Sequence, residues 1–180
     1  MHEEDQVART IVEDAGTKLE VAFDPSGSLL HVRYRVSNTG AAPLAVFDRG
    51  DQHAVLTGRL EAGGVPGPRW SALEGEGTVL RHAASPMPKP ERTLPPVPLA
   101  AKLEPGASLE GGFEFDMSLA EGPRRLRWCL GVMDFDEAAF VASDRGVEVA
   151  VWSAPTVAAE LQRMVCTPWF DAEAGAFEEG

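Results

Sequence analysis

Apolar and polar residues alternate along much of this chain with a period of two. The clearest case is Leu30, Val32, Tyr34 and Val36, with His31, Arg33 and Arg35 between them. Successive side chains of a strand point to opposite faces, so this pattern predicts a strand with one face in a core and one in water. Leu19, Val21 and Phe23 repeat the pattern before it, and the turn formers Asp24, Pro25, Ser26, Gly27 and Ser28 predict a hairpin between the two. After Asn38, Thr39 and Gly40 the chain re-enters an extended run, Leu44 to Phe47. Pro43 stands just before that run, where its missing N–H falls outside the ladder.

The later half repeats the theme. Leu109, Gly111, Phe113, Phe115, Met117 and Leu119 alternate with Glu110, Glu114, Asp116 and Ser118. After a break at Glu121, Gly122 and Pro123, Leu126, Trp128, Leu130 and Val132 form an apolar row opposite Arg125, Arg127 and Cys129, with the Trp128 indole expected at the centre of the core. Val147, Val149 and Val151 predict a short strand, and Leu56, Leu60 and the stretch 70–80 predict further edge strands. Between 156 and 164 the spacing of Val157, Leu161 and Met164 predicts one short helix. The expected fold class is all-β: an immunoglobulin-like antiparallel β-sandwich over residues 6–170, with a long proline-rich loop, a short C-terminal helix, and acidic flexible tails at 1–5 and 171–180.

Composition narrows the function classes. A net charge of −12 opposes binding to nucleic acid or to an anionic membrane surface, so neither is expected as a partner. More than half of that excess comes from Glu3, Glu4, Asp5, Asp171, Glu173, Glu178 and Glu179 at the two ends. No apolar run is long enough for a membrane span, and Met1 to Asp5 lack the basic and apolar regions of a secretory leader. The expected location is therefore cytoplasmic, or periplasmic or secreted if a leader has been removed. Cys129 and Cys166 lack the close pairing of a zinc site and are expected as two buried free thiols.

The run Leu30 to Gly40 closing on Val36-Ser37-Asn38-Thr39-Gly40, then Pro43-Leu44, and later Leu103-Glu104-Pro105-Gly106 ahead of Phe113 and Phe115, resembles bacterial immunoglobulin-like domains. It is similar in particular to those of the intracellular proteinase inhibitor type, over roughly residues 19–119. The resemblance implies a β-sandwich and, through it, a protein partner.

Local catalytic signatures are missing from the sequence. His2, His31, His53 and His82 are scattered without metal-ligand spacing and are expected on the surface or on strand faces. No Gly-x-Ser-x-Gly elbow is present, and neither Gly63-Gly64 nor Gly111-Gly112 continues into a phosphate loop. Asp48, Asp51 and His53 after Phe47 are candidate hard-cation ligands, as are Asp134, Asp136 and Glu137 after the Trp128 strand. Arg92-Thr93-Leu94-Pro95-Pro96-Val97-Pro98 fits the Arg-x-x-Pro-x-x-Pro pattern of polyproline ligands, with Met87 and Lys89 beside it. The leading expectation is a non-catalytic protein-binding or inhibitor module with no cofactor, contacting an unidentified partner through Met87, Lys89, Arg92, Leu94, Pro95, Pro96, Val97 and Pro98. Two other classes compete with it: a divalent-cation-dependent hydrolase using Asp48, Asp51 or Asp134 with His53, and an immunity-like protein that neutralises a basic toxin.

Overall fold

The computed structural model describes residues 7–60, 64–85, 97–120, 124–142, 151–155 and 157–178. They form two β-sheets packed face to face. The smaller, antiparallel sheet has the order β1 (Ala8–Asp14), β2 (Thr17–Ser26), β3 (Leu29–Asn38) and β8 (Ser108–Asp116). The larger is built around β9 (Arg125–Asp134). On one side of β9 lie β4 (Leu44–Val46), β7 (Leu99–Leu103), β11 (Val151–Ser153) and β10 (Val141–Ala142), together with the hairpin β5 (Arg69–Leu73) and β6 (Gly77–His82). On the other lie β12 (Arg163–Cys166), β13 (Phe170–Asp171) and β14 (Ala176–Phe177). All pairings are antiparallel except β6 with β9.

The alternation seen in sequence builds the core between the sheets. Leu19, Val21, Phe23, Leu30, Val32, Tyr34 and Val36 face Leu44, Val46, Leu80, Leu126, Trp128, Leu130 and Val132. Trp128 is fully buried and touches the rings of Tyr34, Phe113 and His82. A second cluster, with Phe47, Met133, Phe135, Phe140 and Ala158, covers part of the other face of the larger sheet.

The motifs Asn38-Thr39-Gly40 and Leu103-Glu104-Pro105-Gly106 meet in space. Asn38 is buried, donates through Nδ2 to the carbonyls of Ala42 and Leu103, and accepts from Gly40 N. Its backbone N–H donates to Ala107 and its carbonyl accepts from Gly106. The shared turn chemistry therefore fastens the crossing from one sheet to the other.

Several boundaries differ from expectation. β2 continues through Asp24 and Pro25, leaving only Gly27 and Ser28 as a two-residue turn with Gly27 at positive φ. Pro25 fits because β1 begins at Ala8, opposite Phe23, so no described strand on that side needs its missing N–H. Leu56 belongs to a helix, α1 (Gln52–Leu56), because Asp51 caps it by accepting from Ala54 N. β8 stops at Asp116, whose carboxylate binds Ser118 and folds Met117–Leu119 into a 3-10 turn. The C-terminal helix is shorter than expected: α2 covers only Ala158–Leu161, and Met164 lies in β12, where pairing with β9 and burial of Val165 prevail over helical spacing. Residues 171–178, expected in an acidic tail, form most of the β13–β14 hairpin instead. Phe177 packs there on Phe23 and Phe170, and Glu178 binds Arg125 through two contacts. The tail 1–5, Val147 and Val149 lie outside the described residues.

Candidate functional site

Each strand has two edges, and the contacts of β9 fix what occupies them. One edge carries β13 at Leu126 and β12 at Cys129 to Val132. The other therefore carries both β6, parallel, up to Leu130, and β4, antiparallel, from Asp134 down to Val132. β6 and β4 run toward each other along this edge and meet at Gly131, whose carbonyl accepts from Phe47 N. Neither chain can continue along β9, so both leave the sheet, β4 into Asp48-Arg49 and β6 into Ala83-Ala84. The described polar groups with strong burial effects gather at this divide.

Asp48 is completely buried. Its Oδ2 accepts from the Tyr34 hydroxyl at 2.5 Å, and its Oδ1 lies 2.9 Å from Arg49 Nε. Burial pushes the Asp48 carboxyl above its ordinary range, opposed by the Arg49 guanidinium and the Tyr34 hydroxyl. Burial, reinforced by the Asp48 charge, raises the Tyr34 phenol far above its usual range, so it remains a donor. Tyr34 reaches Asp48 because its cross-strand partner is Gly111, where any Cβ would overlap the phenol ring and hydroxyl.

His82 completes the cluster. The Trp128 indole N–H is a donor only, so His82 Nδ1 must accept from it, at 3.0 Å. Nε2 then carries the proton and donates to the Pro66 carbonyl at 2.8 Å. Both ring nitrogens are occupied, and burial lowers the imidazole's proton affinity below its ordinary value. With Nδ1 already accepting and Nε2 protonated, His82 has no lone pair left for a base or a metal ligand. Within this cluster the Tyr34–Asp48 hydrogen bond joins the two sheets, the Asp48–Arg49 ion pair lies behind it, and His82 is tied separately to Trp128 and Pro66.

The expected cation sites do not assemble. Asp48 points into the core, Asp51 caps α1, and His53 is exposed on that helix. Asp136 caps the turn after β9, and Glu137 binds Lys102 at 3.0 Å. Among the described residues no three His, Cys, Asp or Glu side chains converge to hold a metal. The free-thiol expectation is also corrected. Cys129 and Cys166 are direct cross-strand partners on β9 and β12 and form a disulfide. Their separation of 37 residues hid a pairing that only strand register makes evident. His82 lies on a strand face, one of its two expected placements, and that face is the buried one, as its two-residue spacing after Leu80 implies.

On the opposite, outer face of the larger sheet, Arg69 and Arg81 are direct cross-strand partners. Arg81 Nη1 donates to Ser71 Oγ at 2.8 Å. Among the described residues Arg69 has no hydrogen bond or ion pair, and neither arginine has a carboxylate partner. Together with Ala83 and Ser85 they form the partition between two hollows. One, of about 130 Å³, is lined by Phe47, Ala54, Leu60, Pro66 and Pro98 together with Asp51 and His82; the other, of about 330 Å³, reaches Gln162 and Met164. Gln162 fixes this wall by exchanging two hydrogen bonds with Ala84, as a neighbouring strand would, and Gly131 leaves it room.

Of the residues expected to bind a partner, Met87, Lys89, Arg92, Leu94, Pro95 and Pro96 lie outside the described residues. Val97 accepts from Gln52 N, and buried Pro98 forms a bridge with Asp51 and accepts from Ala154 N. Both described ends of the proline-rich segment thus come to the smaller hollow, which Ser85 and Pro98 line. No helix among the described residues is long and apolar enough to cross a membrane. Set against models of protein families, curated proteins and solved structures, the chain matches none of them.

Proposed function

We propose that this protein is a non-catalytic binding module of immunoglobulin-like architecture that contacts another protein on the outer face of its larger sheet, where β4 and β6 converge. One contrast carries this reading. Tyr34, Asp48 and His82 have hydrogen-bond partners inside the fold, His82 even where it borders the smaller hollow, whereas Arg69 and Arg81, which have no carboxylate partner among the described residues, line two open hollows beside both described ends of the proline-rich segment. Convergent polar groups on a rigid scaffold, beside a connecting loop, are the usual setting of a recognition site. The disulfide favours an oxidising compartment and hence an extracytoplasmic partner.

A photo-crosslinking side chain at Ser85, compared with one at Arg33 on the outer face of the smaller sheet, tests this in the native host. A discrete adduct from Ser85 alone, lost on deleting residues 87–97, is the expected result. Equal labelling from both positions, or none from Ser85, refutes it.

The net charge of −12 supports a second reading, an immunity-like protein that captures a basic toxin by electrostatic steering. An association rate indifferent to ionic strength rules that out.

A further inference from the structure

Arg69 and Arg81 pose an energetic question that no described residue answers. Like charges directly opposite on antiparallel strands repel. The smaller sheet avoids this: in its outer rows Arg35 lies between Glu20 and Glu110, and His31 between Asp24 and Glu114. Arg125, on the same face as Arg69 and Arg81, has Glu178. Among the described strands the Arg69–Arg81 pair alone sets like charges opposite each other, and it does so where two hollows adjoin.

We propose that this pair is a carboxylate-recognition site for an acidic, extended segment of a partner protein, one carboxylate bridging the two guanidiniums and a neighbouring apolar side chain entering the smaller hollow. The inference rests on the binding-module reading and names its ligand class. Two guanidiniums can satisfy both oxygens of one carboxylate with charge-assisted hydrogen bonds, turning mutual repulsion into shared attraction. The hollow's apolar wall, Phe47, Ala54, Leu60, Pro66 and Pro98, suits an aliphatic side chain beside the acid. Asp51, which also lines the hollow, opposes a phosphate dianion more than a carboxylate monoanion. Charges elsewhere do not forbid the approach, because physiological salt screens interactions beyond about 8 Å.

The arginine Nε–Hε resonances, assigned with Arg69→Lys and Arg81→Lys, provide the test. The probes are a capped Leu-Glu-Leu-Gly peptide, its Leu-Gln-Leu-Gly counterpart and inorganic phosphate. The glutamate peptide is expected to shift Arg69 and Arg81 saturably but not Arg33, with the glutamine peptide at least about tenfold weaker. Arg69→Ala/Arg81→Ala should abolish the response. Tighter binding of phosphate than of the glutamate peptide overturns the carboxylate assignment, and no saturable shift from any probe overturns the site. An unchanged Ser85 crosslink in the double variant removes the carboxylate site while leaving the binding module intact. Absence of that crosslink in the otherwise unmodified chain refutes the module itself.

Discussion

Arg81 and His82 are neighbours on β6, yet they belong to two differently built charge environments. His82 points inward, where Trp128 and Pro66 occupy both its nitrogens and Asp48, Arg49 and Tyr34 complete a buried network. Arg81 points outward to face Arg69, with Ser71 as its hydrogen-bond partner. Burial makes an unsatisfied polar group costly, so the Tyr34 hydroxyl, Asp48 Oδ2 and both His82 nitrogens take hydrogen-bond partners within the fold, and Asp48 Oδ1 relies on its ion pair with Arg49. Solvent tolerates the outer pair, which leaves it available to a ligand. The fold joins its sheets with the first group and presents the second.

The comparison breaks most visibly at Asp48. Asp48→Asn keeps the shape and an acceptor for Tyr34 but removes the carboxylate beside buried Arg49. Breaking a buried ion pair from one side typically costs about 3 to 5 kcal/mol, which urea unfolding at neutral pH should show as a large drop in midpoint. A loss under about 1 kcal/mol would mean that Arg49 does not depend on this carboxylate for its burial.

Gly111→Ala probes the same network sterically. The added methyl would overlap the Tyr34 hydroxyl, so Tyr34 must tilt away from Asp48. The expected cost is about 1 to 3 kcal/mol, with Gly112→Ala on the outer side of β8 as the milder control. Equal effects at the two positions would trace the cost to strand propensity and leave the Tyr34 contact without a role.

The pH dependence tests the inner cluster without a new side chain. The proton affinity of His82 is depressed in the folded protein below its ordinary 6.5. The unfolded chain therefore takes up a proton first as pH falls. The His82 contribution is present above about pH 6.5 and decays below it, by at most about 1.4 kcal/mol per pH unit until the folded histidine itself protonates. Asp48 acts with the opposite sign, since its raised pKa favours folding as pH falls. The difference between the original chain and His82→Phe isolates the histidine. The substituted protein should be less stable at pH 7.5 but lose less between pH 6.5 and 5.5. Parallel pH profiles would show that His82 protonates as readily when folded as when unfolded.

The two environments differ in how far sequence reveals them. Period-two alternation exposed the strands around Leu30–Val36 and Leu126–Val132 and the inward position of Trp128, because burying one sheet face leaves that pattern directly. The Asn38 and Pro105-Gly106 turns were legible for the same local reason. Strand partners were not. The Cys129–Cys166 bond, the Arg69–Arg81 pair and the Gly111–Tyr34 contact are all matters of register, and residues 37, 12 and 77 positions apart share no local signal. Short strands flanked by glycine, such as β5 and β6, add to the difficulty because their limits are poorly marked. The convergence of β4 and β6 on β9 is a property of topology, so Asp48 read as a turn residue and a possible cation ligand when its role is to hold Tyr34.

The smallest effect gives the sharpest comparison, because its expected sign differs between the two outer faces. Arg35 lies between Glu20 and Glu110, so Arg35→Ala removes attraction and should lower stability by a few tenths of a kcal/mol. Arg69 faces Arg81 and has no hydrogen bond or ion pair among the described residues, so Arg69→Ala should raise stability by a similar amount at low ionic strength. Added salt should shrink both effects toward zero, since both residues are exposed. Chemical denaturation of the two variants in parallel, at low and at physiological ionic strength, can resolve this. If Arg69→Ala proves destabilising at both, its side chain supports the fold through packing along its aliphatic stem. The outer pair would then belong with the structural charges. If it proves stabilising, this arginine imposes a cost on the isolated protein, and a carboxylate brought by a partner supplies a physical reason for that cost.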